Sequence, residues 1–304
     1  MKIRVGLIGM GLMGQAFIAN LKKENIFVQG FDVDPLRMEE LKKMGGEPLS
    51  SPSQVAKNVS HLILSLPNSD IVQEVIFGNS GVVEGASEGL HICDTTTSRP
   101  QDSENFASEL EKLNIKFLDT AVSGTSTMAM DGDLVVVAGG KKTDFEQCRN
   151  VLSGFSRAAY FMGPPGSGAR TKLIINLVLA GNRLALAEGL VLGEKSGLEL
   201  HSLLQVLRDG ASASKTMIDK GPKMIDADYS KQGQVKLSLK DSRLMIELGQ
   251  KSGSPVLLTS IYSQILQVAK EKGYGEKDTV AFFEILRGMA GLEERPGIDD
   301  VPFG

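Results

Sequence analysis

The chain has 304 residues, 41% of them hydrophobic and 23% charged, with a formal net charge of −4. That is enough apolar material for one or two domains with sizeable cores and too much for a disordered chain. The mild acidity, with no Lys/Arg cluster, argues against a nucleic-acid partner. Two cysteines cannot form a disulfide framework, so a reducing, cytoplasmic setting is expected. His61, His91 and His201 are far apart in sequence, without metal-ligand spacing, and no metal is expected.

In chain order, the first apolar run, Ile3–Ile8, is too short for a signal peptide and reads as a strand. It passes directly into Gly9-Met10-Gly11-Leu12-Met13-Gly14 and a helical pattern over Gly14–Lys23. Further strands are predicted at Ile26–Phe31, Leu62–Leu66, Leu90–Cys93, Lys116–Leu118, Leu134–Ala138 and Ala159–Met162. Helices are predicted between most of them, at Leu36–Lys43, Ser53–Lys57 and Ser103–Leu113. This alternation predicts an α/β fold: an N-terminal Rossmann domain with a doubly wound, mainly parallel sheet.

The breaker cluster Gly163-Pro164-Pro165-Gly166-Ser167-Gly168 ends the last strand. Helical periodicity then runs through Ala169–Lys195, Leu200–Leu207, Ser214–Met224, Gln234–Lys251, Pro255–Lys272 and Asp278–Met289. The expected organisation is a dinucleotide-binding domain over 1–163, an interdomain helix over 164–195, an all-α domain over 196–291 and a loose tail over 292–304. The apolar stretch from Leu173 to Gly193 contains Asn176, Asn182, Arg183 and Glu188, so it is expected to be a buried helix of a soluble protein and not a membrane span.

The glycine motif has the spacing G-x-G-x-x-G between a strand and a helix. There Gly9 permits a tight turn, Gly11 a close approach of the pyrophosphate, and Gly14 close helix packing, with Met10, Leu12 and Met13 between them. The helix start offers free N–H groups and partial positive charge to phosphates. Asp32 ends the next strand 18 residues after Gly14 and is placed to bind the adenosine ribose. A carboxylate there favours NAD over NADP, although Arg37 lies near enough to complicate the preference. Leu66 and Pro67 leave the strand Leu62–Leu66 at its carboxyl end, where ligands sit in open α/β sheets, and a plain strand-ending turn fits them equally well. Lys172 and Asn176 are four apart and share a helix face near its start. A lysine there could protonate a carbonyl oxygen as hydride arrives and stabilise a developing alkoxide, and Asn176 could hold Lys172 or the substrate oxygen. From the pattern alone, a solvated lysine explains the position better.

Four segments, in order, resemble the signatures of the β-hydroxyacid dehydrogenase family, which includes 3-hydroxyisobutyrate dehydrogenase and tartronate semialdehyde reductase. Ile8-Gly9-Met10-Gly11-Leu12-Met13-Gly14 is similar to its cofactor signature. Asp119-Thr120-Ala121-Val122-Ser123-Gly124-Thr125 resembles its D-A-P-V-S-G-G substrate segment. Gly166 through Asn176 resembles its G-x-G-x-x-x-K-x-x-x-N helix, and Lys240-Asp241 a later K-D pair. The resemblance implies hydride transfer between NAD(H) and a small 3-hydroxy acid or semialdehyde, in a cleft between the domains. It implies Lys172 as general acid/base, Ser123 and Gly124 on the substrate carboxylate, and Asn176 near the reacting oxygen. Lys240 would line and close the pocket against substrate and cofactor. Asp94-Thr95-Thr96-Thr97-Ser98-Arg99-Pro100 is similar to the family's D-x-S-T-x-x-P segment and implies Thr97 near the nicotinamide ribose. A homodimer or homotetramer is likewise implied.

Thr120, Ala121 and Thr125 depart from the family's usual Ala, Pro and Gly. Thr125 is therefore expected to narrow the pocket or add a hydrogen bond, and hydroxyisobutyrate is not carried over as substrate. The alternatives are an imine reductase-like enzyme, disfavoured by Lys172, and a redox-silent NAD-binding protein.

Overall fold

Alternation of side chains along each strand builds the first half of the molecule. The computed structural model describes residues 3–295. Strands β1 (Arg4–Ile8), β2 (Phe27–Phe31), β3 (Glu47–Pro48), β4 (His61–Leu64), β5 (His91–Asp94), β6 (Lys116–Ser123), β7 (Leu134–Gly139) and β8 (Ser156–Gly163) form one sheet in the order β3-β2-β1-β4-β5-β6-β7-β8. Successive residues serve opposite faces, as the period of two requires. Ile63, Cys93 and Leu118 pack with Phe17 and Leu21 of the Leu12–Lys23 helix and Phe145 and Leu152 of the Lys142–Ser153 helix. Their neighbours Leu62, Ile92 and Phe117 pack on the other face with Val72, Phe106 and Leu110. Both faces are covered, so the strands read as continuous apolar runs.

Pairing is parallel from β3 through β6, antiparallel between β6 and β7, and parallel again between β7 and β8. The mainly parallel, doubly wound reading holds. β6 runs five residues past the expected end at Leu118, because Asp119–Ser123 find antiparallel partners in Val135–Gly139. That partnership is non-local and leaves no periodicity of its own.

The chain divides into two compact units, the first ending at Lys172 and the second beginning at Leu173, inside the Ser167–Lys195 helix. In the second unit Leu184, Leu190, Leu204, Tyr229, Leu239, Tyr262, Phe282 and Phe283 form the core. The segment expected as one helix over Ser214–Met224 is two short helices, Lys215–Asp219 and Gly221–Ile225. Pro222, which has no N–H to give a preceding turn, lies in the first turn of the second.

Two expectations change. The Ser167–Lys195 helix is long and apolar enough to cross a membrane by length and composition, yet only 28% of its most apolar window is buried within the chain. Ile174, Val178 and Leu192 are exposed while Leu173, Leu184 and Leu190 are buried, so within the chain only one side of the helix is buried. Residues 292–295 are not loose. Arg295 donates to the carbonyls of Met224 and Ile225 and pairs with Glu284 at 2.7 Å, and Arg287 donates to the Glu293 carbonyl. The rest of the expected tail, 296–304, lies outside the described residues.

Candidate active site

The carboxyl ends of β2, β1, β4 and β5 lie side by side, with β1 between the β2 and β4 branches where the winding reverses. Ligands bind at such switch points. The turn after β1 is built for close approach. Gly9 has φ +91, and a Cβ there would lie 2.2 Å from the Ser65 carbonyl oxygen. A Cβ on Gly14 would meet the Gly9 carbonyl at 2.2 Å, so Gly14 packs on the turn itself. At Gly11 a Cβ would meet nothing within 4 Å. Among the described residues no packing requires glycine there, and the open space fits an approaching phosphate. The Leu12–Lys23 helix begins with no side-chain cap and no acidic residue in its first turn, so its free N–H groups suit an anion. Met10 is fully buried, Met13 is partly buried and Leu12 is exposed.

Asp32 follows β2 and reaches back to this turn, where its Oδ2 accepts from the Met10 N–H at 2.6 Å and its Oδ1 from the Asp34 N–H at 2.9 Å. Sequence reasoning assigned Asp32 to the ribose and missed that it also ties the turn to the second strand. The neighbouring cation, Arg37, is held by Glu40 at 2.9 Å and Asp34 at 3.9 Å.

Leu66 and Thr97 belong to connected loops. The Leu66 N–H donates to Thr96 Oγ1 at 3.2 Å, and the Thr96 N–H donates to Asp94 Oδ1 at 3.0 Å. Asp94, at the end of β5, therefore organises both the turn after β4, with Leu66 and Pro67, and the loop that carries Thr97. Burial pushes the Asp94 carboxyl up to about 7 against the hydrogen bonds from Thr96 and Ser98, and the Asp119 charge adds to the rise.

Asp119, the register partner of Asp94 on β6, accepts from the Gly166 N–H at 2.9 Å and the Ala169 N–H at 2.7 Å. It thereby holds the start of the helix that carries Lys172, which is itself partly buried. Burial pushes the Asp119 carboxyl up to about 6, and the N–H groups of Ala169, Gly166 and Gly168 pull it back. This role was missed, although the aspartate opens a motif read from the sequence. Ser123 ends β6 and Gly124 follows with φ +148. Thr125 caps the Ser126–Met130 helix, its Oγ1 accepting from the Met128 N–H at 3.2 Å. The hydroxyl expected to shape the pocket thus already has a partner within the chain.

In the second unit Asn176 donates to Asp241 Oδ2 at 3.0 Å, and Lys240 lies 3.2 Å from Asp241 Oδ1. Asn176 and Lys240, 64 positions apart in sequence, are joined by an aspartate that was not singled out as a site residue.

Away from these loops, His61 and His91 stack at 5.4 Å, and the buried Cys93 and Cys148 belong to one core cluster. Residues distant in sequence are neighbours here because β4 and β5 pair His61 with His91. Among the described residues no group of three or more His, Cys, Asp or Glu side chains could hold a metal ion. A pocket of about 220 Å³ lined by Lys22, Phe27, Met44 and Gly45 lies at the opposite, amino-terminal end of β2. It contains none of the residues above.

Residues 4–163 match the family described as the NAD-binding domain of 6-phosphogluconate dehydrogenase. Residues 166–286 match that described as NAD-binding of NADP-dependent 3-hydroxyisobutyrate dehydrogenase. The chain is 30% identical over 296 residues to 2-(hydroxymethyl)glutarate dehydrogenase of Eubacterium barkeri, covering 97% of this chain and 98% of the relative. The chain belongs to the β-hydroxyacid dehydrogenase family. It is also 30% identical over 285 residues to glyoxylate/succinic semialdehyde reductase 1 of Arabidopsis thaliana, covering 94% and 99% of the two chains. The crystal structure of 3-hydroxyisobutyrate dehydrogenase from Salmonella typhimurium superposes with a TM-score of 0.86 at 26% identity, covering 93% of this chain and 100% of that one. An imine reductase from a Pseudomonas species shares the fold at a TM-score of 0.63 and 18% identity, over 94% and 100% of the two chains. The dehydrogenase reading therefore stands over the imine reductase alternative, and this β-hydroxyacid dehydrogenase is an NAD(P)-dependent oxidoreductase.

Proposed function

We propose that this enzyme moves a hydride between NAD(H) and a small carboxylate-bearing 3-hydroxy acid or its semialdehyde, with Lys172 as general acid/base. The observation that carries this reading is the pairing of an anion-ready glycine turn, tied to Asp32, with a lysine on a helix whose start is held by the same sheet. The nicotinamide supplies or accepts the hydride. Lys172 gives a proton to the carbonyl oxygen during reduction and takes it from the hydroxyl during oxidation, and its charge favours the alkoxide-like transition state. Ser123 and the Gly124 backbone hold the carboxylate, and Thr97 attends the nicotinamide ribose. Asn176, held by Asp241, and Lys240 are the substrate-contact residues assigned on the second unit. Of the relatives' named substrates, 2-(hydroxymethyl)glutarate carries its hydroxyl β to a carboxylate, as this reading needs, and glyoxylate and succinic semialdehyde are small carboxylate-bearing aldehydes.

NAD is favoured over NADP because Asp32 stands where the ribose hydroxyls bind and Arg37 is already engaged by two carboxylates. A panel of 3-hydroxy acids and semialdehydes, each assayed with NAD(H) and NADP(H), tests both points. Turnover on none of them would remove the proposed reaction. Asp32→Ser is expected to move the NAD:NADP ratio of kcat/KM toward NADP by about 10-fold or more, the scale of one charged hydrogen bond. An unchanged ratio would show that Asp32 serves the turn alone.

We also propose a homodimer or homotetramer in a reducing cytoplasm, without nucleic-acid or membrane partners. The exposed Ile174 and Val178 of the long helix and Leu257, Leu258 and Ile261 of the Leu257–Glu271 helix form apolar surface. A Cβ on Gly181 would lie 3.8 Å from Leu258, so the two helices approach each other there. Patches of this kind mark interfaces. Sedimentation equilibrium is expected to give at least twice the monomer mass and Leu257→Glu to lower it. A monomer at micromolar concentration would refute the assembly.

A further inference from the structure

We propose that Asp119 is a positioning residue for Lys172: from the middle of the sheet it fixes the register and rotation of the helix that presents the lysine. The proposal rests on the reading of Lys172 as acid/base.

The first N–H groups of a helix have no partner within the helix, and a side chain next to them in sequence usually satisfies them. Here the cap comes from another element. The helix begins at Ser167, and the two N–H groups that bind the carboxylate belong to Gly166 and Ala169, 47 and 50 positions after Asp119. One oxygen takes each donor, so the carboxylate spans the first turn as a two-point clamp. An acceptor-only group is required, since an amide would turn an N–H toward one of the two donors.

The clamp has no slack. Asp119 sits on β6, paired to Asp94 of β5 on one side and Gly139 of β7 on the other. A Cβ on Gly168 would stand 2.2 Å from the Asp119 carbonyl oxygen and 2.7 Å from that of Val137, and one on Gly139 would stand 2.6 Å from Asp119 Oδ1. The helix start is thus pressed against β6 and β7 at positions where only glycine fits. Lys172 follows Ala169 by three residues, less than one helical turn, so its direction follows from the clamp. Charged groups near this turn among the described residues include Asp94 from β5, and Glu104 of the Pro100–Lys112 helix paired with Arg170. Two buried carboxylates on adjacent strands repel each other and cost stability. Each is offset by a separate role: Asp94 holds the cofactor-side loops and Asp119 the helix start.

The test is a double-mutant cycle on the full-length enzyme with Asp119→Asn, Lys172→Ala and the pair. Readouts are kcat, the KM for substrate and the Kd for NADH. Asp119→Asn is expected to lower kcat about 10-fold or more, as displacement of an acid/base by a fraction of an ångström does, with the Kd for NADH unchanged. In the Lys172→Ala background the same change is expected to have little further effect on kcat, because the group it aims is gone. An equal loss in both backgrounds, or a loss only in NADH affinity, overturns the proposal. Near-normal kcat for Lys172→Ala alone would instead reject the acid/base reading. Asp119→Ser, which places no amide against the donors, repeats the cycle if the Asn variant does not fold. Failure of both variants to fold counts against positioning and makes Asp119 a folding determinant.

Discussion

Lys172→Ala is expected to lower kcat by about 10²-fold or more, the usual scale for a positioned general acid/base. The reason is local. The substrate oxygen changes its proton affinity as hydride arrives or leaves, and Lys172 is the cation that the Asp119-held helix start supplies. The alanine variant keeps that clamp, because both bonds are made by backbone N–H groups before position 172. NADH affinity is therefore expected to persist, since the glycine turn and Asp32 are untouched. Steady-state kinetics with a titration of NADH fluorescence separates the two effects. Turnover within a few-fold of wild type would take the lysine out of the mechanism and leave a nucleotide-binding protein whose proton-transfer group lies elsewhere.

The largest effect on stability is expected at Glu284. Its carboxylate is fully buried and accepts from Tyr229 at 2.7 Å, Arg287 at 2.8 Å and Arg295 at 2.7 Å, while Arg287 also binds Glu194 at 2.8 Å. Removing the acid takes from the buried Arg287 guanidinium one of its two carboxylate partners, which costs about 3–5 kcal/mol. Glu284→Ala also removes the ion pair of Arg295, which then keeps the Met224 and Ile225 carbonyls to anchor the segment 292–295. Urea unfolding of the Leu173–Gly304 unit within the intact chain, followed by tyrosine fluorescence, measures the loss. A change below about 1 kcal/mol would mean that the arginines find other partners. Burial alone would raise the Glu284 carboxyl, but the bonds from Tyr229 and Arg295 win and hold it below the usual carboxylate range. Its contribution is therefore complete above the ordinary carboxylate pKa and is lost as pH falls through the lowered value. Glu284→Ala should flatten that part of the acid-unfolding curve.

The hydride-transfer reading and the stability prediction were unequally legible in the sequence. The glycine turn and Asp32 could be read because strand, turn, helix and next strand occupy one short stretch, so local spacing encodes them. Lys172 and Asn176 could be paired because four residues make one turn of helix, but it was the family resemblance that made them chemical. The Glu284 cluster had no such signal. Glu194, Tyr229, Glu284, Arg287 and Arg295 come from four separate segments, and charged residues at those positions look like ordinary helix surface.

From the sequence by itself came the βα alternation, the dinucleotide turn, the helical second half and the family, because each is written in periodicity or in contiguous motifs. Tertiary structure alone decided that β6 continues through Ser123 and that Asp94 and Asp119 lie side by side on adjacent strands. It also decided that Asp119 caps a helix beginning 48 positions later and that Asp241 joins Asn176 to Lys240. The physical reason is that a buried polar group must find a partner wherever the packed chain offers one. The identity of that partner follows from strand order and helix docking, which no local pattern specifies.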